Sequence, residues 1–377
     1  MGHRRDVAAA VSAVQFDLIV VGAGIIGAAC AEQAVADGRK VAIVEPGVVG
    51  GAATAASMGH LVAMDDDPAE FALSRYSLGL WDSHEQRQEA EFRRCGTLWV
   101  ASGEREMEAI PAKAARMATA GVHAEVVDAA QLRELEPALA PDMAGGLLVP
   151  NEAVVYPPRM ARWLVEQCTR SGAALYQGRR VMRLLSSGVQ LDDGSRLSGP
   201  ILLATGLTTP DLLPQLRMHA RRGHLVVTDR YPGRVRHQVL EMGYADSAHG
   251  DDQVSVAFNI QPRPTGQLLI GSSREQASGQ AVNLPVLRRM LERTFRFMPG
   301  LGTLQAIRVW TGLRPCTPDG RPYIGAVPGR DGLWVAAGHE GLGVSMALGT
   351  ARLLCDLLDK RTPAIDPAPY DPARVFV

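Results

Sequence analysis

The sequence contains few cysteines, and they form no paired motif. Five of its 377 residues are cysteines, at positions 30, 95, 168, 316 and 355. An odd count without a CxxC pair argues against a disulfide framework, a zinc site or an iron–sulfur cluster held by this chain. We therefore expect a cytoplasmic protein with no bound metal.

Charge of one sign and long apolar runs are also lacking. The 39 lysines and arginines nearly balance the 40 aspartates and glutamates, so the formal net charge is -1. A chain with this balance has no broad field that would attract nucleic acid or an anionic membrane. No uninterrupted apolar stretch approaches the roughly 18 residues that cross a bilayer. We predict no nucleic-acid partner and no membrane span.

Glycine, by contrast, is abundant, and three glycines stand together near the start of the chain. An apolar strand over residues 16–21 runs into a turn that holds Gly22, Gly24 and Gly27, and a helix of small residues follows. In a dinucleotide-binding turn the first glycine allows a tight bend and the second lets the backbone approach a pyrophosphate. The third lets the helix pack close to the strand. The pattern therefore predicts a bound adenine dinucleotide.

A second strand, over residues 41–44, ends in an acid that fits the same prediction. Glu45 follows Gly22 at about the 20-residue spacing expected of the acid that binds ribose hydroxyls. The helix N-terminus offers amide donors and a positive dipole end to the phosphates. The residues assigned to the cofactor here are Gly22, Ala23, Gly24, Ile25, Ile26, Gly27 and Glu45.

A segment of glycine, alanine and serine follows, from Gly47 to Gly59. Such a segment buries little side chain, so its backbone is expected to lie against a ligand. We add Ala52, Ser57 and Met58 to the cofactor-binding residues.

Nucleotide-binding segments recur along the chain, with β-rich segments between them. This order predicts an α/β (α+β) fold in which a Rossmann-like dinucleotide-binding domain carries an inserted antiparallel β-sheet domain for the substrate. We place the first domain at 15–84, 147–220 and 313–365, and the second at 85–146 and 221–312. Within the first domain, apolar residues at helical spacing predict a helix from about residue 69 to residue 91.

Several stretches together resemble one family of flavoenzymes. They are residues 20–27, the loop 50–60, and residues 203–206, 310–320 and 337–343. In this order they resemble the FAD-dependent amine oxidases and dehydrogenases, the group of D-amino acid oxidase, glycine oxidase, sarcosine oxidase and D-amino acid dehydrogenase. Residues 56–66 look most like the catalytic flavin subunit of bacterial D-hydroxyproline dehydrogenases.

The resemblance implies that the dinucleotide is FAD. It assigns Glu45 to the ribose, the backbone near Val181 to adenine, and the turn at Thr205 and Gly206 to the pyrophosphate. A C-terminal turn would pass along the isoalloxazine, and the helix after it would place amides near reduced-flavin charge. The residues implied in this turn are Gly338, His339, Gly341, Leu342, Gly343 and Val344.

The resemblance also implies a substrate site. Arg314 matches the family arginine that pairs with the substrate carboxylate, a task that suits the planar guanidinium fork. His60 follows the small-residue loop, where it either donates to substrate or flavin or is a satisfied core histidine. Asn259 stands where glycine oxidase has a substrate-contacting tyrosine, and Tyr244 lies on a loop that is either a lid or plain surface. These four are our catalytic candidates.

Two residues near this site, Arg222 and His224, begin a predicted strand. One interpretation, left open beside a role in the site, is that they are residues of the site's rim. Cys316 raises the question of covalent flavin, but the cysteine that binds flavin in sarcosine oxidases matches Gly312. We therefore expect non-covalent FAD and a small, packed Cys316.

The implied reaction is hydride transfer from Cα of a small D-amino or imino acid to flavin N5, for which the best candidates are cis-4-hydroxy-D-proline and D-proline. The cofactor supplies the redox chemistry and the protein supplies position and electrostatics. Electrons would pass to partner subunits or a quinone. Two alternatives stay open: a glycine, sarcosine or D-amino acid oxidase that makes hydrogen peroxide, and a non-catalytic flavin-binding subunit.

Overall fold

A computed structural model describes residues 14–64, 67–84, 88–243, 254–276 and 279–376. The strands form sheets of six, eight, four and two members. The strands are β1 (Val14–Gln15), β2 (Leu18–Val21), β3 (Val41–Glu45), β4 (His60–Leu61), β5 (Thr97–Ala101), β6 (Glu125–Asp128), β7 (Gly145–Val149), β8 (Ala153–Val154), β9 (Ala174–Gln177), β10 (Val181–Leu185), β11 (Gly188–Leu191), β12 (Arg196–Ser198), β13 (Ile201–Leu203), β14 (His219–Arg230), β15 (Gln238–Glu241), β16 (Val254–Pro262), β17 (Gln267–Gln276), β18 (Ala306–Cys316), β19 (Tyr323–Ala326) and β20 (Leu333–Ala337).

Helices cover much of the remaining chain. The α-helices are α1 (Ile25–Ala36), α2 (Ala52–Ala55), α3 (Pro68–Trp81), α4 (Glu104–Thr119), α5 (Ala129–Leu135), α6 (Pro157–Arg170), α7 (Thr209–Leu212), α8 (Leu284–Phe297) and α9 (Gly343–Leu358). Among the described residues, no helix is both long enough and apolar enough to span a membrane.

The six-stranded sheet has the order β19-β20-β13-β2-β3-β9, and all neighbours run parallel except β19 and β20. Its strands are apolar on both faces. Leu18 and Val20 pack with α1, α3, α6 and α9, whereas Ile19 and Val21 pack with apolar residues of the four-stranded sheet. Covering of both faces explains why β2 is an unbroken apolar run.

The eight-stranded sheet has the order β18-β14-β17-β16-β15-β5-β7-β6, and its neighbours are antiparallel except β15 and β5. Helix α8 covers one face, where Phe297 stacks on Phe258 with ring centroids 4.7 Å apart. The other face carries glycines. A Cβ added to Gly312 would lie 2.8 Å from the Cβ of Ala56, so the loop after β3 packs directly on this face. The two large sheets therefore meet at this loop.

The helix predicted over residues 69–91 was too long, because α3 ends at Trp81. Trp81 is 1% exposed and its indole N–H donates to the carbonyl of Ser345, which anchors the last turn. The chain continues as a 3-10 turn over Asp82–His84, where polar residues no longer offer an apolar face to the core. The ranges assigned to the two domains stay a prediction.

Candidate active site

The glycine turn between β2 and α1 leaves no space for side chains. Gly22 has φ +102°, and a Cβ on it would overlap the carbonyl oxygen of Ala204 on β13's C-terminal side. A Cβ on Gly27 would overlap the carbonyl oxygen of Gly22. The first and third glycines are thus required by close approach of the turn to its neighbours.

Glu45 ends β3 and reaches the same turn. Its Oε2 accepts the Ala23 amide at 2.8 Å, and its Oε1 accepts the Gly47 amide at 2.8 Å. The Ile25 amide at the start of α1 donates to the Thr54 hydroxyl at 3.0 Å. The acid is held by backbone beside the helix N-terminus, with carboxylate lone pairs remaining for hydroxyl donors.

The segment that begins at α2 lies between this turn and the eight-stranded sheet. Ala52 has φ +49°, an uncommon conformation for a residue with a Cβ. The Ser57 hydroxyl donates to the Thr54 carbonyl, and the Met58 carbonyl accepts the Gln261 side-chain amide at 2.7 Å. The backbone of this loop is therefore held by one side chain of its own, Ser57, and by Gln261 of β16.

Three more of the predicted cofactor residues lie at the ends of two other strands, β10 and β13. Val181 begins β10 in the four-stranded sheet. Thr205 follows β13, with its hydroxyl 2.9 Å from that of Thr209, and Gly206 has φ +55° with open space around a Cβ position. Because β13 neighbours β2, the turn at 205–206 lies beside the glycine turn.

The C-terminal turn connects β20 to α9. Gly338 has φ +89°, and a Cβ there would overlap the Thr317 side chain. His339 is 3% exposed and its Nε2 lies 2.9 Å from the Thr350 hydroxyl. Leu342 precedes the first helical residue, Gly343, and no side chain caps this helix N-terminus. Val344 is buried in the first turn of α9.

Arg314 lies on the glycine-bearing face of the eight-stranded sheet. A Cβ on Gly223 of β14 would lie 2.6 Å from both Nη1 and Nη2 of Arg314, so the guanidinium lies directly over this glycine. Nη1 donates to the Ser273 carbonyl at 2.9 Å. A Cβ on Gly341 would lie 3.7 Å from Arg314 Nε. The structure thus brings Arg314 against the C-terminal turn.

Two further arginines and one acid surround Arg314. Arg221 is paired in register with Arg314, and its Nη1 lies 3.7 Å from Glu340 Oε1. Arg274 Nε lies 3.7 Å from the same oxygen. Sequence reasoning missed Arg274, because only the pairing of β17 with β14 places it here. Glu340 has φ +45°, a left-handed conformation that is uncommon for a residue with a Cβ and that clusters at functional turns.

His60 and Asn259 each keep a shielded polar atom without a hydrogen-bond partner among the described residues: Nε2 of His60 and Oδ1 of Asn259. Asn259 is 2% exposed and is paired with Gly271, which contacts Met58. The His60 carbonyl accepts the Ser345 hydroxyl at the start of α9. Orphaned buried polar atoms are costly, so both atoms are suited to a ligand. Tyr244 lies outside the described residues.

The interpretation of Arg222 and His224 as rim residues was wrong. His224 is 0% exposed, and both of its ring nitrogens lie within hydrogen-bond distance of protein groups. Arg222 donates to Glu275 through Nε and Nη2 at 3.0 and 2.7 Å. The strand β14 is internal to the sheet, between β18 and β17, so its polar residues are enclosed by neighbours.

The buried histidines predict an acid-sensitive fold. Burial lowers the pKa of His339 to about 3, whereas an unfolded histidine titrates near 6.5. The unfolded chain therefore binds more protons below about pH 6.5, and stability falls as the pH drops from there toward 3. At pH 5 this linkage costs about 2 kcal/mol for His339.

Between pH 7 and pH 5, the free energy of unfolding of H339N should fall by about 2 kcal/mol less than that of the unmodified chain, as measured by unfolding in urea. The exposed His123, with 62% of its side chain accessible, gives the control H123N, which should follow the unmodified chain. Equal acid sensitivity in all three proteins would contradict the assignment to His339.

The chain is similar to known proteins over most of its length. The profile of the family described as FAD dependent oxidoreductase (DAO) matches residues 17–357. Glycine oxidase of Pseudomonas aeruginosa is 29% identical over 381 residues, which cover 94% of this chain and 98% of that protein. D-amino acid dehydrogenase of Cereibacter sphaeroides is 30% identical over 286 residues, 73% of this chain and 64% of that protein.

Solved structures show the same fold. L-proline dehydrogenase from P. horikoshii superposes with a TM-score of 0.87 at 19% identity, over 96% of this chain and 98% of that chain. The predicted fold class is confirmed, and the family match over residues 17–357 makes the chain a flavin-dependent oxidoreductase. The chain belongs to the FAD-dependent oxidoreductase family that includes D-amino acid oxidase, and its predicted FAD cofactor is confirmed.

The residues present fit FAD. The turn at Gly22 admits backbone but no Cβ, Glu45 presents its carboxylate beside α1, and Gly206 borders open space. Gly312 stands at the position where a flavin-binding cysteine would be. A side chain there would overlap the methyl group and the backbone of Ala56. Among the described residues no group of His, Cys, Asp and Glu side chains could hold a metal ion.

Proposed function

We propose that this chain oxidises the Cα–N bond of a small amino or imino acid whose carboxylate binds Arg314. The observation that carries the proposal is the Arg314 guanidinium over Gly223, on the sheet face that meets the C-terminal turn. A guanidinium held flat over a glycine presents its fork to a planar carboxylate and leaves room for it. The residue assignments in this subsection are likewise proposals.

The chain's own groups position the substrate. Arg314 anchors the carboxylate, and the nearby Arg221 and Arg274 add positive charge that favours an anion. Burial lowers the pKa of His60 to about 3, so its ring is neutral near pH 7 and does not repel these arginines or a substrate amine. FAD, when bound, would supply the hydride acceptor for Cα.

Little acid–base chemistry is needed from the protein. The substrate nitrogen reacts in its neutral form, and its lone pair forms the C=N bond as the hydride leaves Cα. Asn259 Oδ1 is an acceptor without a partner among the described residues, and it suits an N–H of the substrate. The protein's contribution is then orientation and electrostatics, which are the usual roles of a flavoenzyme scaffold.

We propose cis-4-hydroxy-D-proline or D-proline as substrate, with the pyrroline carboxylate as product. The support is the likeness of residues 56–66 to D-hydroxyproline dehydrogenases, and Met58 and His60 of this segment adjoin the glycine-bearing sheet and α9. The test is the visible spectrum of the purified holoenzyme under anaerobic conditions during addition of cis-4-hydroxy-D-proline. Bleaching of the oxidised-flavin band is expected, and an unchanged band contradicts this substrate.

Glycine oxidation is the second candidate, because glycine oxidases match this chain over nearly its whole length. The same spectral titration with glycine and sarcosine, followed by a peroxide assay in air, separates the two functions. Rapid peroxide formation with glycine favours an oxidase. Flavin that no amine reduces favours a non-catalytic flavin-binding subunit.

The electron acceptor and the location are proposals as well. We propose that electrons pass to a partner subunit or a quinone, and that the protein is cytoplasmic. The latter rests on its five free cysteines, four of which are buried. Reoxidation of the substrate-reduced enzyme by a soluble quinone, at a rate above that of oxygen, is the expected result.

A further inference from the structure

Behind Arg314, two buried residues on adjacent strands form a closed hydrogen-bonded pair. Ser273 of β17 is 1% exposed and His224 of β14 is 0% exposed. We propose that His224, acting through Ser273, positions the Arg314 guanidinium for the substrate carboxylate. The inference rests on the proposed function, which makes Arg314 the carboxylate anchor.

Ser273 contacts both residues through different atoms. Its backbone carbonyl accepts Arg314 Nη1 at 2.9 Å, on the sheet face that carries Gly223. Its side-chain oxygen receives the backbone N–H of His224 at 3.0 Å and lies 2.8 Å from His224 Nδ1. A shift of Ser273 would therefore move the acceptor that orients the guanidinium.

The ring of His224 has only one tautomer in this arrangement. The backbone N–H of Asn283 donates to Nε2 at 2.9 Å, so Nε2 must be the acceptor and the proton must be on Nδ1. Nδ1–H then donates to the Ser273 hydroxyl oxygen. Because a backbone amide cannot reverse its role, the direction of the hydrogen bond to Ser273 is fixed.

The place of this pair in the sheet explains why it is needed. The register between β14 and β17 shifts between Arg222 and Val226, so the regular ladder of backbone hydrogen bonds is interrupted there. His224 satisfies its backbone N–H with a serine side chain instead of a carbonyl. The Ser273 carbonyl is thereby left to accept Arg314.

Burial keeps His224 neutral, and the charged groups on the neighbouring elements act on it in opposite directions. Arg222 on β14, Glu275 on β17 and Arg314 on β18 face it, and Asn283 before α8 bonds both to the ring and to Glu275. Burial is the main cause that lowers the pKa of His224, and it outweighs the opposite effect of Glu275. A neutral ring can keep Nε2 as an acceptor for Asn283 near neutral pH.

The test measures carboxylate binding to the holoenzyme by the change in flavin absorbance. The probes are pyrrole-2-carboxylate, which has no transferable Cα hydrogen, and acetate, which tests the carboxylate alone. S273A and H224F should raise the dissociation constants of both probes about tenfold, with FAD content unchanged. H224N should recover most of the affinity, because its side-chain amide can replace Nδ1–H as a donor.

The matched control lies in the same strand pair. Thr228 of β14 uses its hydroxyl to accept the Leu268 amide of β17 at 3.0 Å, beside the second register shift. T228V should bind both probes as the unmodified enzyme does. Normal binding by S273A and H224F would overturn the inference, as would equal weakening by T228V, because loosened strand pairing would then explain the effect.

A fifth variant, R314A, separates this inference from the function on which it rests. R314A should weaken the binding of both probes more than S273A does, since the charged partner itself is lost. If R314A binds both probes normally, the proposed function fails and this inference fails with it. If only R314A is weakened, Arg314 still binds carboxylate and the positioning role of His224 is wrong.

Discussion

Replacement of Arg314 by alanine is expected to lower kcat/KM for amino-acid oxidation by about 10²- to 10³-fold, or roughly 3 to 4 kcal/mol of transition-state stabilisation. Among the described residues, only Arg314 both lies over Gly223 and comes close to the C-terminal turn. Its removal is the cause of the expected loss. The carboxylate would then enter a partly buried site without its paired charge. FAD content should be unchanged, because no predicted cofactor contact is removed.

R314K distinguishes charge from geometry. Lysine restores a positive charge but not the planar pair of donors, so most of the loss should remain. Arg308 provides a matched control on the same strand, where its guanidinium lies over the Trp310 ring, 5.5 Å from the centroid. R308A should keep full activity. Steady-state kinetics of the three variants with the substrate that bleaches the flavin would check this, and an R314A enzyme of normal kcat/KM contradicts the assignment.

The second large effect is expected at the glycine turn. G27V should yield protein with little or no FAD and a free energy of unfolding reduced by about 3 kcal/mol or more. Its side chain would overlap the Gly22 carbonyl, so the turn or α1 must move. G22A should act in the same direction, because φ +102° and the Ala204 carbonyl both exclude a Cβ.

Gly79 in α3 is the control for both variants. Among the described residues outside its own helix turn, no heavy atom lies within 4 Å of its Cβ position, so G79A should keep FAD and gain slightly in helix propensity. The measurements are the ratio of flavin to protein absorbance after purification and urea unfolding. G27V with a full complement of FAD would show that the turn does not bind the cofactor.

At the nucleotide end of the molecule, most of the structure could be predicted from the local sequence pattern. The strand, the glycine turn, the small-residue helix and Glu45 are consecutive, and each depends on neighbours close in sequence. Arg314 could be singled out because its surrounding motif resembles that of a family. The end of α3 at Trp81 was missed, because it depends on packing against Ser345, far away in the sequence.

The sequence by itself therefore determined the fold class and the dinucleotide turn, and it singled out Arg314 as the candidate for binding a carboxylate. Only the tertiary structure decided which polar residues stand behind Arg314. His224 and Ser273 are 49 positions apart, and strand pairing with a register shift brings them together. The Asn283 amide, which donates to Nε2, then fixed the tautomer of His224, and burial of the ring lowers its pKa and favours the uncharged form.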